Sequence, residues 1–220
     1  MRDAWIVFNR SIYEGYQMLG TIIKFTILWW ICMIPLFTFG PATAGLFAII
    51  QKSKTGASVS IQDYFHFMKK FFHIGIRLSG LYLFVMIPGI AYIILLFSQG
   101  EILSNIFGIL LMYILILWNL VIFYTFPLLI IQKTDDILIL LKRALKLVTE
   151  NYSFTLNIAL YAIITTLICS VLAILLVAWI GLLAIISLNS LSFLLHKYHP
   201  EDYQFEYNVS WKGVLKPWTK

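Results

Sequence analysis

Four stretches of this 220-residue chain hold no Asp, Glu, Lys or Arg: residues 25–51, 78–100, 102–132 and 151–196. About 20 apolar residues carry a helix across the hydrocarbon of a bilayer, so each of the first three stretches predicts one crossing. The fourth is about twice as long and predicts two, joined by a tight turn near residues 178–181. In lipid the backbone must satisfy its own hydrogen bonds, which leaves helices or closed barrels. The run from Ile109 to Leu117 lacks the apolar–polar alternation of a barrel strand. Composition agrees: 61% of residues are hydrophobic and 12% charged, where a soluble domain has about a quarter charged. Mean hydropathy is +0.89, which also excludes disorder. The expected fold is all-α: one polytopic membrane bundle with spans near 22–50, 78–98, 104–131, 153–177 and 179–196.

Residues 1–21 mix Arg2, Asp3, Arg10 and Glu14 with Trp5, Ile6, Phe8 and Tyr13. No short apolar region ending in small residues marks them as a cleaved signal, so they read as an amphipathic lead-in at the membrane interface. Positive charge gathers in three segments. Residues 52–77 carry Lys52, Lys54, Lys69, Lys70 and Arg77; residues 133–151 carry Lys133, Lys142, Arg143 and Lys146; the tail 198–220, with Lys197 before it, carries Lys212, Lys216 and Lys220. Cytoplasmic loops hold the positive excess, which places these segments, the C-terminus included, inside and the loop at Glu101 outside. A full first crossing leaves Arg2, Arg10 and Lys24 outside; a re-entrant first segment would put all sixteen cations inside. The net charge of +6 follows from topology, and nucleic acid is not an expected partner.

One motif interrupts the first span. Pro35, Thr38, Gly40, Pro41, Ala44 and Gly45 lie within twelve apolar-rich residues, 34–45. Proline removes a backbone donor and clashes with the preceding turn, so the helix is expected to kink or break between Pro35 and Pro41. Small residues allow helices to approach closely in lipid. The motif therefore reads either as a packed kink or as a site at a discontinuous helix. Two amphipathic cytoplasmic helices are also expected. Over 63–77, Asp63, His66, Lys70, His73 and Arg77 share one face, opposite Phe65, Phe67, Met68, Phe71, Phe72 and Ile76. Over 134–150, Ile137, Leu138, Leu141, Ala144, Leu145 and Val148 form a stripe opposite Lys142, Arg143 and Lys146, with Thr134 or Asp135 as cap. Lys69, Lys70, Arg77, Lys142, Arg143 and Lys146 then form a basic cytoplasmic surface beside anionic lipid. The order of amphipathic helix and paired spans occurs twice, from Phe65 and from Ile137, and suggests a repeated unit.

Chemistry is sparsely signalled. Cys32 and Cys169 fall inside predicted spans and read as small apolar side chains. His66 and His73 are too far apart to share a metal from one helix; His196 and His199 lack a completing ligand and read as surface residues. The deepest polar groups are Asn105, Asn119, Asn157 and Asn189, whereas ion-coupled carriers need buried ionisable groups. There is no phosphate-binding loop, metalloprotease helix or nucleophile elbow. A membrane enzyme would have to gather His66, His73, Asp63 and Glu101 at one pocket. Neither catalysis nor a cofactor or metal is expected.

The stretch Pro35 to Ala44 reads Pro-x-x-Thr-x-Gly-Pro-Ala-x-Ala, and a basic loop and the aromatic-rich segment Phe67 to Phe72 follow it. With the later Lys142-Arg143-Ala144-Leu145, this pattern resembles the YesL family of bacterial membrane proteins of unknown function, over about residues 22–196. The resemblance implies a bacterial cytoplasmic membrane and an accessory role beside the permease subunits of an ABC-type carbohydrate importer. It brings no catalytic residues. The Glu-Ala-Ala-x-x-x-Gly signature by which permeases dock an ATPase is absent from 134–151, so docking of that kind is not expected. The expected function is a non-enzymatic accessory or scaffold protein; the alternative is a small carrier or lipid-handling protein using the broken first helix.

Overall fold

A computed structural model describes residues 2–132, 136–201, 203 and 205 of the chain. Among them every regular element is helical: α1 Arg2–Gln17, α2 Leu19–Met33, a 3-10 turn Leu36–Thr38, α3 Phe39–Lys54, α4 Ile61–Lys70, α5 Phe72–Ser98, α6 Ile102–Gln132, α7 Ile137–Glu150, α8 Tyr152–Val171, a second 3-10 turn Ala173–Val177, and α9 Trp179–Tyr198. α5, α6, α8 and α9 are each long and apolar enough to cross a membrane; α1 and α2, bent by 87°, make a fifth candidate if counted as one broken span. The chain is a membrane-type helical bundle.

Its centre is α3. Every residue from Gly40 to Ile50 is buried, because α2, α4, α5, α6 and α9 all pack on it. The apolar run 22–50 is therefore not one continuous helix. It is two helices separated at 34–38, and the second is enclosed by protein rather than lipid. α9 is the second interior helix, buried from Ala184 to Leu191 without a gap.

α1 is not an isolated lead-in. It buries Ala4, Val7, Ser11 and Gly15, a stripe of small residues at helical spacing, and packs on α9. Gly15 sits against Leu182 and Ile185, Ser11 accepts a hydrogen bond from Asn189 at 3.1 Å, and Arg10 lies over the Phe205 ring, which meets Phe193 edge-on. Rising numbers on α1 meet falling numbers on α9, so the helices run antiparallel. The start of α1 lies at the end of α9.

α4 begins with a reciprocal cap: the Ser60 side chain accepts from the Asp63 backbone N–H, and the Asp63 carboxylate accepts from the Ser60 backbone N–H at 2.8 Å. Lys52 also pairs with Asp63, at 2.9 Å. That ion pair, with the Ser60 bonds, holds the Asp63 carboxyl down to about 2. The expected helix over 63–77 is broken at Phe71, so His73 and Arg77 belong to α5, whose span starts at Phe72 rather than Leu78. The fully buried residue of α4 is Tyr64, while Phe65 is exposed.

α5 and α6 form an antiparallel hairpin around Gly100, whose φ of +70° suits glycine. Leu115 packs at Gly89 and Phe97 at Gly108. Only the first turns of α5 are buried, at Ile74, Gly75, Leu78 and Ser79. From Gly80 onward the pair forms an arm with outward apolar flanks. α6 has 31 residues, about 46 Å at about 1.5 Å per residue, against about 30 Å of hydrocarbon. α8 and α9 form a second hairpin, with Phe154 stacked on Phe193 and Trp179 donating to Thr166. Each hairpin follows an amphipathic helix. The connection between α8 and α9 occupies 172–178, not 178–181. Gly181 instead lies within α9, where α2 approaches so closely that a methyl group would meet Ile22 at 2.6 Å.

α7 is capped by Asp136, which accepts from Leu138 N–H at 2.9 Å; the expected caps Thr134 and Asp135 lie outside the described residues. Its buried stripe is Leu140, Ala144 and Val148. Leu138 and Leu145 face outward.

Candidate functional site

The motif at 35–45 begins a helix as much as it ends one. α2 ends at Met33. Pro35 is exposed beyond it, and the Thr38 hydroxyl lies within hydrogen-bond reach of the carbonyls of Cys32 and Pro35, the second of which also accepts from the Thr38 backbone N–H at 2.8 Å. Pro41 falls in the first turn of α3, where a missing N–H costs nothing. The break therefore lies at 34–38, before Pro41.

The glycines do different things. A methyl group on Gly40 would lie 2.0 Å from the Gly75 carbonyl oxygen, and one on Gly75 would lie 2.6 Å from the Pro41 nitrogen. α3 and α5 thus cross backbone against backbone. Gly45 faces α4, with Met68 and Tyr64 at 3.4 Å from the same hypothetical carbon. Ala44 is wholly buried. The Tyr64 hydroxyl donates to the Ala42 carbonyl at 3.1 Å, and the Trp29 indole N–H to Thr43 at 3.0 Å. These bonds lock α2 and α4 onto the start of α3. In the sequence Gly75 gives no packing signal beyond being a glycine inside an apolar segment.

Beside this crossing is a cavity of about 200 Å³ between α3, α5, α6 and α9, walled by Phe39, Phe47, Phe123 and Phe126. Its polar border is Thr43, Ser79, Tyr82 and Asn119. Each bonds within the chain: Thr43 to Phe39 and Trp29, Ser79 to Gly75, Tyr82 to Asn119 at 3.0 Å, and Asn119 to Leu115 at 2.8 Å. The cavity thus presents a mainly apolar lining. Thr38 and Asn189 are elsewhere, and Asn157 bonds back to Ser153.

A charged cluster joins α1, α3 and α9. Glu14 accepts from Arg10 at 2.7 Å, from Asn189 at 3.0 Å, and pairs with Lys54 at 3.2 Å; Lys54 also donates to the Asn189 side-chain oxygen. The Glu14 and Lys54 side chains are each 14% exposed. In the sequence Glu14 and Arg10 are visible as an i, i+4 pair and Asn189 as a polar residue within a span. Their meeting with Lys54 joins residues up to 175 positions apart, and periodicity has no signal for that.

The basic surface is divided. Lys69 and Lys70 end α4 and Arg77 lies on α5, while Lys142, Arg143 and Lys146 lie on α7; all six are exposed. Of the histidines, His66 and His73 stand on different helices, and His196 contacts the Tyr203 carbonyl through Nδ1. Cys32 and Cys169 are both free thiols.

Residues 22–96 match the family model described as "Protein of unknown function, DUF624". The matched stretch runs from α2 through most of α5 and includes both sides of the Gly40–Gly75 crossing. No curated protein matches the chain, and no solved structure matches it.

Proposed function

We propose that this chain is a non-catalytic accessory or scaffold subunit of the bacterial cytoplasmic membrane, and that its partner is the permease of an ABC-type carbohydrate importer. The α5–α6 arm carries this reading. Beyond Ser79 α5 buries none of its residues, and Phe84, Ile94, Ile102 and Ile109 point outward. A rigid body anchored at α3 holds out a long apolar arm that suits lipid and the helices of another membrane protein. The importer is suggested by the resemblance to the YesL family, with which the match over 22–96 is consistent.

The charge pattern orients the bundle with the ends of α6 and α9 at the cytoplasmic face. Because α1 runs antiparallel to α9, its start falls at that same face. This arrangement favours a re-entrant path through α1, α2 and α3 over a full first crossing. Mild-detergent purification from cells growing on a transported sugar tests the function. Mass spectrometry should find permease subunits enriched with the tagged chain; a chain that always purifies alone overturns the proposal.

A second reading, a small carrier or lipid-handling protein, draws on the cavity bordered by Thr43 and Asn119. The apolar lining favours an aliphatic occupant over a sugar.

A further inference from the structure

Where α6 and α9 end, α7 passes beside them and leaves a cleft of about 300 Å³. Its apolar side is Leu128 of α6, Leu147 of α7 and Leu195 of α9, and its polar rim includes Arg143 and Lys146. These two cations are three residues apart on α7, so they stand on one face. Arg143 donates to Gln132, which leaves further guanidinium N–H groups in its five-donor fork. Lys146 is 3.7 Å from Glu150, a long contact between exposed groups. Glu150 and His199 also border the cleft; among its described residues two cations stand against one carboxylate.

We propose that this cleft binds the headgroup of an anionic phospholipid. Arg143 and Lys146 hold the phosphate by charge-assisted hydrogen bonds, and the leucines receive the glycerol and the first methylenes of an acyl chain. Three observations converge on a lipid. The cleft lies at the ends of two helices long and apolar enough to span, which is headgroup depth. It pairs cations with an aliphatic wall, so a free phosphate would leave the wall unused and a neutral amphiphile the cations. Basic pockets between membrane helices on the cytoplasmic side recur as anionic-lipid sites.

The test uses the full chain in mild detergent. Dioleoylphosphatidylglycerol, dioleoylphosphatidylcholine and inorganic phosphate are titrated separately, and native mass spectrometry counts bound lipid while melting reports stabilisation. Phosphatidylglycerol should be retained and should raise the melting temperature; the other two should do neither. The double variant Arg143→Gln/Lys146→Gln should weaken phosphatidylglycerol binding by roughly 10- to 30-fold, from the attraction each cation contributes, with its lipid-free melting unchanged. Lys69→Gln/Lys70→Gln removes equal charge from α4 and should bind like wild type. Equal binding of phosphatidylcholine, an equal response to phosphate, or equal losses in both double variants would each overturn the proposal.

Discussion

Gly40→Ala is expected to be among the most damaging single-methyl changes in this chain. The added carbon would lie 2.0 Å from the Gly75 carbonyl oxygen, a backbone atom that no side-chain rotation can move. Accommodation requires α3 and α5 to separate, and with them the Tyr64 and Trp29 bonds that rest on the start of α3. Overpacking typically costs about 1–3 kcal/mol, occasionally more; a rigid backbone clash puts Gly40→Ala at about 3 kcal/mol or above. Gly75→Ala meets the same crossing from the other side and should behave alike. Gly45→Ala is the contrast. Its new methyl would make ordinary contacts at 3.4 Å with Met68 and Tyr64, and alanine suits a helix better than glycine by about 0.5–1 kcal/mol. It should therefore be neutral or slightly stabilising, while Gly45→Leu should fail. Leu110→Ala on the exposed arm should change little. Melting of the detergent-purified variants ranks them; a Gly40→Ala protein that melts like wild type would show that the helices do not cross there.

Glu14→Gln should cost about 3–5 kcal/mol, the usual consequence of leaving a buried cation without its counter-charge. Lys54 is 14% exposed and its only ion pair among the described residues is with Glu14. Lys54→Met should be milder, because Glu14 keeps its bond from Arg10 at 2.7 Å. Glu14→Met/Lys54→Met should recover much of the loss, since matched apolar replacement of a buried pair is often close to neutral. Melting of the three variants decides; if Glu14→Gln and Lys54→Met lose equal stability, the cluster is not organised around an uncompensated lysine.

The two clusters mark where the sequence was readable. Absence of charge locates apolar helices well, and α5, α6, α8 and α9 follow the charge-free stretches closely. Hydropathy cannot distinguish lipid from protein as the apolar surroundings. Residues 40–50 and 84–97 look alike along the chain, yet the first are enclosed by five helices and none of the second is buried. The run 22–50 therefore read as a crossing and folded as two helices. The small residues of the motif were legible; their partner Gly75, 35 positions away, was not. The same holds for α1, where Trp5 and Phe8 carry the hydropathy while the buried face is Ala4, Val7, Ser11 and Gly15. Small residues carry little hydropathy, and their role appears only once a neighbouring helix is in place. In the sequence Tyr64 does not stand out from the phenylalanines of α4, although its hydroxyl makes it the aromatic best able to bond a backbone carbonyl inside the bundle.

The most direct test of the proposed placement is cysteine accessibility in intact cells. Single cysteines are introduced as Asp3→Cys, Gln99→Cys and Lys142→Cys after Cys32 and Cys169 are changed to Ser. An impermeant thiol reagent should label Gln99→Cys from outside. Asp3→Cys and Lys142→Cys should react only after permeabilisation, because the start of α1 and all of α7 are placed at the cytoplasmic face. Labelling of Asp3→Cys from outside would contradict the re-entrant path through α1 to α3, and protection of Gln99→Cys with exposure of Lys142→Cys would contradict the orientation altogether.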